Sequence, residues 1–342
     1  MEHTKKLKIK YLFTFSLLIG ILLVIFGLNV GFGSVSIRIN EVFQILLKQP
    51  SVDDIFYDIV WEIRLPRAIA TVIGGAALAA AGLLLQIFFR NPIVEPYVLG
   101  VSSGATLFVA LVTLGGFTLG FEQVSPFLLF IAALTGSAIV MFVVIAFASK
   151  VKSIVTLLVI GLMVGYMTGA ATSILIAFAD KERLQVFTLW TLGSFSGFTW
   201  QNVKILLMIG IPTLLAAMFI VKPLNAFLLG EEYAKSMGVR IKPFRIAIVM
   251  ISSILAAVVT AFAGPVGFIG LAVPQIARLI FKASDNRILL PGTILLGGIV
   301  TALCDLIARI VLAPAELPIS AVTALFGAPI VIILILRRRT SL

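Results

Sequence analysis

Long apolar runs recur along almost the whole chain, and they constrain its fold more than any other feature. A helix needs about 20 predominantly apolar residues to cross a bilayer. Runs of this kind lie at approximately 11–30, 65–88, 97–116, 126–148, 154–178, 203–221, 244–263, 288–312 and 318–336, and a shorter one lies at 271–281. Apolar residues make up 61% of the chain, more than soluble domains usually contain. We therefore predict an all-α polytopic membrane protein of about ten transmembrane helices, forming a single transmembrane domain over residues 1–342.

The lysines and arginines predict how these helices are oriented. The chain carries 26 of them against 15 acidic residues, a net charge of +11. They are scattered between the apolar runs rather than gathered on one solvated surface, which argues against a nucleic-acid groove. With the N-terminus in the cytoplasm, about two thirds of them fall on the cytoplasmic side, as the positive-inside rule requires. We therefore expect a membrane protein that contacts lipid, with both termini cytoplasmic and no nucleic-acid partner.

The chain lacks the residues that several kinds of chemistry require. With one cysteine (Cys304) and one histidine (His3), it can form neither an internal disulfide nor a His/Cys metal cluster. It contains no Gly-x-x-x-x-Gly-Lys-Ser/Thr loop for binding ATP and no Gly-x-Ser-x-Gly nucleophile motif. We expect no catalytic residue, metal or cofactor in this chain, which disfavours an intramembrane enzyme.

Coupling to an ion gradient would require charged residues in the middle of the membrane, where they are costly. Asp305 is the nearest case, but Arg309 follows it by one helical turn, so we predict a local ion pair between them. The sequence therefore shows no obvious proton or sodium relay, and an ion-coupled secondary transporter is kept as the alternative to a transporter that draws energy from another subunit. A requirement for ATP hydrolysis by a co-purified subunit would distinguish these two kinds of transporter.

One segment concentrates charge in a chain whose charged content is only 12%. It reads "GEEYAKSMGVRIKPFR" at 230–245. It is either a basic cytoplasmic loop that obeys the orientation rule or a polar helix that works in water against another protein. Composition by itself favours the loop.

Small residues recur every four positions on the fifth predicted span, at Gly161, Gly165, Gly169 and Ser173. This spacing places them on one face of a helix, where they usually allow close helix packing. A continuous stripe could also leave room for a bulky solute beside the helix. The sequence leaves both interpretations open.

Glycines and prolines interrupt the apolar stretch "FAGPVGFIGLAVPQIARL" at 262–279. Proline removes a hydrogen-bond donor and glycine relaxes the backbone, so the helix should break here. Broken backbone is tolerated at membrane depth only where protein covers it or where it lines a cavity. We predict a loop and a short helix inside the protein.

Five stretches, in their order and spacing, together resemble a known family. They are "RLPRAIATVIGGAALAAAGLLLQIFFRNPIVEPYVLGVSSGA" (64–105), "GPVGFIGLAVPQIARL" (264–279), "ILLPGTILLGG" (288–298), "DLIAR" (305–309) and "ELPISAVTALFGAP" (316–329). The chain is similar over nearly its whole length to the BtuC/FecCD family, the membrane permease subunits of type II ABC importers for iron-siderophores, heme and vitamin B12. Gln275 departs from the family pattern, which commonly has histidine there.

The resemblance implies roles for particular residues. It implies cytoplasmic coupling helices within 228–243 that contact an ATPase subunit through Glu231, Glu232, Ala234, Met237 and Gly238. It implies a cytoplasmic gate at Asn91 and Ile93, and a pathway lined by Gly161, Gly165, Gly169, Ser173, Ser320 and Ala324. It also implies that Arg64, Arg67 and Arg309 form an exposed docking surface for a soluble binding protein.

The resemblance further implies a non-enzymatic permease subunit of the bacterial cytoplasmic (inner) membrane that imports a bulky metal chelate. A ferric siderophore is the first expectation, with heme or cobalamin close behind. The implied partners are a second permease subunit, with a homodimer favoured, two ATP-binding subunits that hold ATP and Mg, and an extracytoplasmic substrate-binding protein.

Overall fold

The computed structural model describes residues 2–33, 35–47, 54–115, 125–151 and 153–339, and within these ranges the chain is helical and forms no strand. Position 116 of the predicted third span, and positions 1 and 340–342 of the predicted domain, lie outside them. The helices are α1 (Glu2–Gly31), α2 (Ile39–Leu46), α3 (Asp54–Asp58), α4 (Leu65–Phe88), α5 (Val101–Thr113), α6 (Pro126–Lys150), α7 (Ile154–Ala177), α8 (Lys181–Thr191), α9 (Trp200–Phe219), α10 (Val221–Leu228), α11 (Glu231–Ser236), α12 (Ile241–Ala263), α13 (Ile269–Phe281), α14 (Asn286–Ile310) and α15 (Ile319–Arg339). A π-helical turn (Ile59–Arg64) joins α3 to α4, and a 3₁₀ turn (Pro96–Leu99) precedes α5.

Seven helices in the described part of the chain are long and apolar enough to cross a membrane. They are α1, α4 together with α3 and the π-helical turn, α6, α7, α9, α12 and α14. Three shorter apolar helices, α5, α13 and α15, join them in the bundle. The prediction of an all-α polytopic membrane protein with about ten such helices is confirmed.

The third predicted span differs most from expectation. Instead of one helix over 97–116, the chain forms the 3₁₀ turn and then α5, which has only 13 residues. Gly100 separates the two pieces with φ +77°, a left-handed conformation that glycine adopts without steric cost. The apolar pattern does not reveal this bend because both pieces are apolar.

Helix α4 forms the centre of the bundle, and small residues let its neighbours approach closely. Its spanning segment is 83% buried. A Cβ atom at Gly75 would overlap the Gly297 carbonyl group of α14, and a Cβ atom at Gly82 would overlap the backbone of Gly270 in α13. Glycine at these crossings therefore fixes the short distances between the helices.

Three buried arginines tie helices together at the end of the bundle where α4 begins, here named the arginine end. The Arg67 guanidinium group donates to Asp305 Oδ1 (2.9 Å) and Oδ2 (3.0 Å) and to Glu316 Oε1 (2.7 Å). Arg64 donates to the carbonyl oxygens of Val30 and Gly31 at the end of α1 and to that of Val35, which follows α1. Arg309 donates to the backbone and side-chain oxygens of Asn29 at 3.0 and 3.1 Å. Together they join α1, α4 and α14.

The expectation of an exposed arginine surface is therefore wrong for this subunit. Arg64, Arg67 and Arg309 are only 3%, 4% and 4% exposed, and each donates to groups of its own chain. The predicted local pair is wrong as well, since Asp305 pairs with Arg67 rather than with Arg309. A buried carboxylate requires a full complement of donors, and Arg67 provides two parallel bonds that Arg309 does not.

Replacing Arg67 with methionine should destabilise the subunit strongly, because Asp305 would remain buried without its cation. Removing one partner of a buried ion pair typically costs about 3–5 kcal/mol. Arg183→Met is the matched control, since Arg183 pairs with Asp180 at the surface and at 4.0 Å. Thermal denaturation followed by size-exclusion chromatography measures both. Equal midpoints for the two variants would contradict the assigned role of Arg67.

Candidate functional site

The predicted coupling segment, residues 228–243, is held in place by one buried arginine, Arg245. Arg245 of α12 donates to the two carboxylate oxygens of Glu231 at 2.7 and 2.8 Å, and to the Val151 carbonyl oxygen at 2.8 Å. These bonds tie the first turn of α11 to α12 and to the end of α6. A helix of six residues would not be stable alone, so this attachment fixes its direction.

The outward surface of α11 differs from the one the sequence predicted. Ala234 is fully buried within this chain, so its expected contact with another protein is wrong. Glu231 is occupied by Arg245, whereas Glu232, Met237 and Gly238 are exposed. The segment also contains a single short helix, because α10 ends at Leu228 and α12 begins at Ile241.

A charged cleft of about 570 Å³ opens beside α11. It is lined by Ala148, Lys150, Val151, Glu231, Glu232, Ile241, Lys242 and Arg245. Cations and carboxylates are mixed around it, so it suits a polar protein surface better than an apolar ligand.

The predicted gate residues lie on a tight turn after α4, here named the gate turn (residues 90–95). The Asn91 side-chain oxygen accepts from the Ile93 backbone N–H at 3.0 Å, and the Asn91 N–H donates to the Gln86 carbonyl oxygen at 3.1 Å. Asn91 thus shapes the turn, and the Ile93 side chain, 54% exposed, forms its tip.

Buried amides hold the gate turn against α13. Gln275 donates to the Pro92 carbonyl oxygen at 3.1 Å and to the Gln86 side-chain oxygen at 2.8 Å. Arg278 donates to the same Gln86 oxygen at 3.0 Å. Gln275 therefore belongs to a network that connects α4, the gate turn and α13, which sequence reasoning did not find.

The predicted helix break is confirmed between α12 and α13, at residues 264–268. Side chains of other helices form hydrogen bonds with the backbone groups that the break leaves without a helical partner. Ser320 donates to the Pro265 carbonyl oxygen at 2.7 Å, and Thr323 donates to the Gly267 carbonyl oxygen at 3.0 Å. The predicted pathway residue Ser320 is thus half-buried and directed at the break, and Ala324, one turn later on α15, is also half-buried.

The small-residue stripe of α7 changes character along its length. A Cβ atom at Gly161 would lie 3.1 Å from Leu99 Cα, so Gly161 packs against the 3₁₀ turn. Gly165 lies near α5, but Gly169 has open space around it, and Ser173 is exposed. The stripe is therefore closely packed in its first half and open in its second.

A small hydroxyl-lined cavity of about 160 Å³ adjoins this open half. Its walls are Ser102, Ser103, Thr106, Gly169 and Thr172, from α5 and α7. Thr106 and Thr172 donate to carbonyl oxygens one turn back in their own helices. The cavity offers hydroxyl groups beside an otherwise apolar helix face.

Comparison with known proteins identifies the family. The profile of the FecCD transport family matches residues 21–337. The vitamin B12 import system permease protein BtuC of Salmonella typhi is 38% identical over 278 residues, which cover 81% of this chain and 83% of that protein. The same permease from Salmonella newport (strain SL254) gives the same values.

Solved structures share the helix arrangement. An inward-facing metal-chelate type ABC transporter has a TM-score of 0.82 and 30% identity, covering 94% of this chain and 97% of that one. PsaBC from Streptococcus pneumoniae has a TM-score of 0.51 and 18% identity, and the match covers 79% of this chain and 90% of that one. At this identity the match shows only that the two proteins share a fold. The chain therefore belongs to the FecCD transport family and is a membrane permease subunit of the ABC importer type.

Proposed function

We propose that two copies of this chain enclose a translocation path for a bulky metal chelate, with a ferric siderophore as the first candidate and heme or cobalamin next. Two ATP-binding subunits and an extracytoplasmic substrate-binding protein complete the importer. The metal-chelate transporter with the same helix arrangement supports this class of cargo. The identity to vitamin B12 permeases retains cobalamin among the candidates.

The low burial of α7 carries the proposal. Only 11% of the spanning segment of α7 is buried within the subunit. Among the seven long spans of the described chain, α1 has the same value and the other five are more buried. The exposed side chains of α1 are mostly leucine, isoleucine, valine and phenylalanine, as lipid contact requires. Helix α7 exposes apolar side chains as well, such as Leu162 and Ile174, but its open stripe at Gly169 and Ser173 adjoins the hydroxyl-lined cavity. Because hydroxyl groups line this part of the face, we assign it to the path and to the second copy.

Adaptable side chains are also exposed on α7. Met163, Tyr166 and Met167 are 48%, 69% and 72% exposed. Methionine is flexible and polarisable, so it can follow the surface of a bulky solute without binding it tightly. Weak contacts suit a path, because cargo that binds strongly would not leave.

The gate turn and α11 face the cytoplasm in this proposal, since both lie at the end of the bundle opposite the arginines. Ile93 at the tip of the gate turn would narrow the exit. The exposed residues Glu232 of α11 and Met237 and Gly238 of the turn after it would enter a cleft of the ATP-binding subunit, which holds ATP and Mg. Both chain termini would lie on this side.

The arginine end then faces the substrate-binding protein. Because Arg64, Arg67 and Arg309 are buried, we assign them an indirect role in docking. By joining α1, α4 and α14 through their hydrogen bonds, they would hold in place the surface on which the binding protein docks.

Reconstitution tests the proposal. The permease, its ATP-binding subunits and its binding protein are placed in proteoliposomes and given a ferric hydroxamate siderophore, hemin or cyanocobalamin in separate assays. We expect ATP-dependent accumulation of one of them. Accumulation driven by a proton gradient without ATP-binding subunits would contradict the proposal and favour an ion-coupled carrier.

Met237→Arg should uncouple uptake from ATP hydrolysis and leave the subunit folded. The Met237 side chain is 64% exposed, so arginine meets water in the free subunit but would push α11 away from the cleft of the partner. ATP-dependent uptake should fall at least about tenfold, equivalent to about 1.4 kcal/mol. Ala234→Arg is the contrasting variant, because its buried site should reduce the yield of folded protein. Normal uptake by the Met237→Arg complex would show that α11 does not contact the ATPase.

Leucine at Gly161 and at Gly169 should have different effects. At Gly161 the added side chain meets the backbone of Val98 and Leu99 at 3.1 Å, so folded yield should fall. At Gly169 the space is open, and leucine favours a helix over glycine by about 1 kcal/mol, so folding should be retained. Uptake by Gly169→Leu should nevertheless drop, because the side chain occupies the path. Equal folded yields, or normal uptake by Gly169→Leu, would contradict the division of the stripe.

A further inference from the structure

We propose that Glu95 and Tyr97 are positioning residues of the gate, which fasten the gate turn to the helix break and so make the position of Ile93 depend on α12 and α13. This inference rests on the proposed function, in which Ile93 narrows the exit. Nothing in the sequence pattern singled out either residue.

Tyr97 makes the first attachment. Its phenolic oxygen accepts from the Val266 backbone N–H at 3.0 Å and lies 3.5 Å from the Thr260 hydroxyl group. Val266 is buried, so its N–H has no access to water. Moving Tyr97 would leave that donor without an acceptor, which proteins strongly avoid.

Glu95 makes the second attachment. The backbone N–H group of Phe268 lies close to the Glu95 carboxylate group, and it opposes the rise in pKa that burial causes at Glu95. Phe268 has φ +66°, a left-handed conformation that is uncommon for residues other than glycine. An acceptor fixed at this N–H helps to hold that conformation at the start of α13.

Two further contacts extend the attachment on both sides of Glu95. Gln275 donates to the Pro92 carbonyl oxygen at 3.1 Å, and the Pro96 ring lies against Gly270 so closely that no Cβ atom would fit there. The chain from Pro92 to Tyr97 therefore follows the break and α13 at successive points. Ile93, within this stretch, cannot shift far unless some of these contacts open.

The break also links this stretch to α15. Tyr97 accepts from its Val266 N–H group, whereas Ser320 and Thr323 donate to its carbonyl groups. The same short segment is thus bound on one side by the gate and on the other by the last helix. A displacement of α15 or α13 would reach Ile93 through these bonds.

Spin labelling of the complete transporter tests the proposal. A nitroxide label at Ile93→Cys, in a Cys304→Ser background, reports the mobility of the gate with and without ATP. Glu95→Ala and Tyr97→Phe should each increase label mobility and raise basal ATP hydrolysis several-fold. Glu95→Gln should retain the wild-type values, because its amide oxygen can still accept from Phe268. The matched controls are Glu62→Ala and Tyr57→Phe, exposed residues at the arginine end.

Two results would overturn the proposal. One is unchanged label mobility and hydrolysis in folded Glu95→Ala and Tyr97→Phe, with folding verified by size-exclusion chromatography. The other is a Glu95→Gln variant as impaired as Glu95→Ala, since the hydrogen bond would then not be the cause. Failure of the proposed function is distinguishable, because the label on otherwise unmodified protein would then not respond to ATP at all.

Discussion

The unpaired backbone groups of the helix break are the constraint on which the arrangement of this subunit depends. Inside a membrane-embedded bundle no water can pair with them, and each unpaired group would cost several kcal/mol. Their partners come from distant parts of the chain: Tyr97 before α5, Ser194 after α8, and Ser320 and Thr323 on α15. Satisfying one short segment therefore fixes where three separate elements lie.

The same requirement explains what the sequence could predict. The break itself followed from its glycines and prolines, because these act on the local backbone wherever they occur. Its partners could not be predicted, because a tyrosine or serine in an apolar run looks the same whether its oxygen is used or not. The small-residue stripe shows a similar limit. Its spacing defined a face, but only the position of Leu99 beside Gly161 divides that face into packed and open halves.

Charged residues were the least predictable. Glu231 and Glu232 are neighbours of identical type, yet one is bonded to Arg245 and the other is exposed. The three arginines fell near helix ends in the sequence, which suggested exposure. The burial of Arg67 and Arg309 depends on Asn29, Asp305 and Glu316, which lie more than two hundred residues from the arginines they contact. Sequence spacing does not report such pairings, because they exist only once the bundle has closed.

The open face of α7 has a consequence for how such an importer would diversify. Gly169, Ser173 and the exposed methionines of the same helix offer a surface without fixed shape or charge, so little in it would need to change for a new cargo of similar size. Selection for a different chelate would then act on the soluble binding protein. A cell that duplicated only the gene of the binding protein could take up a wider range of metal chelates with the same permease and the same ATP-binding subunits.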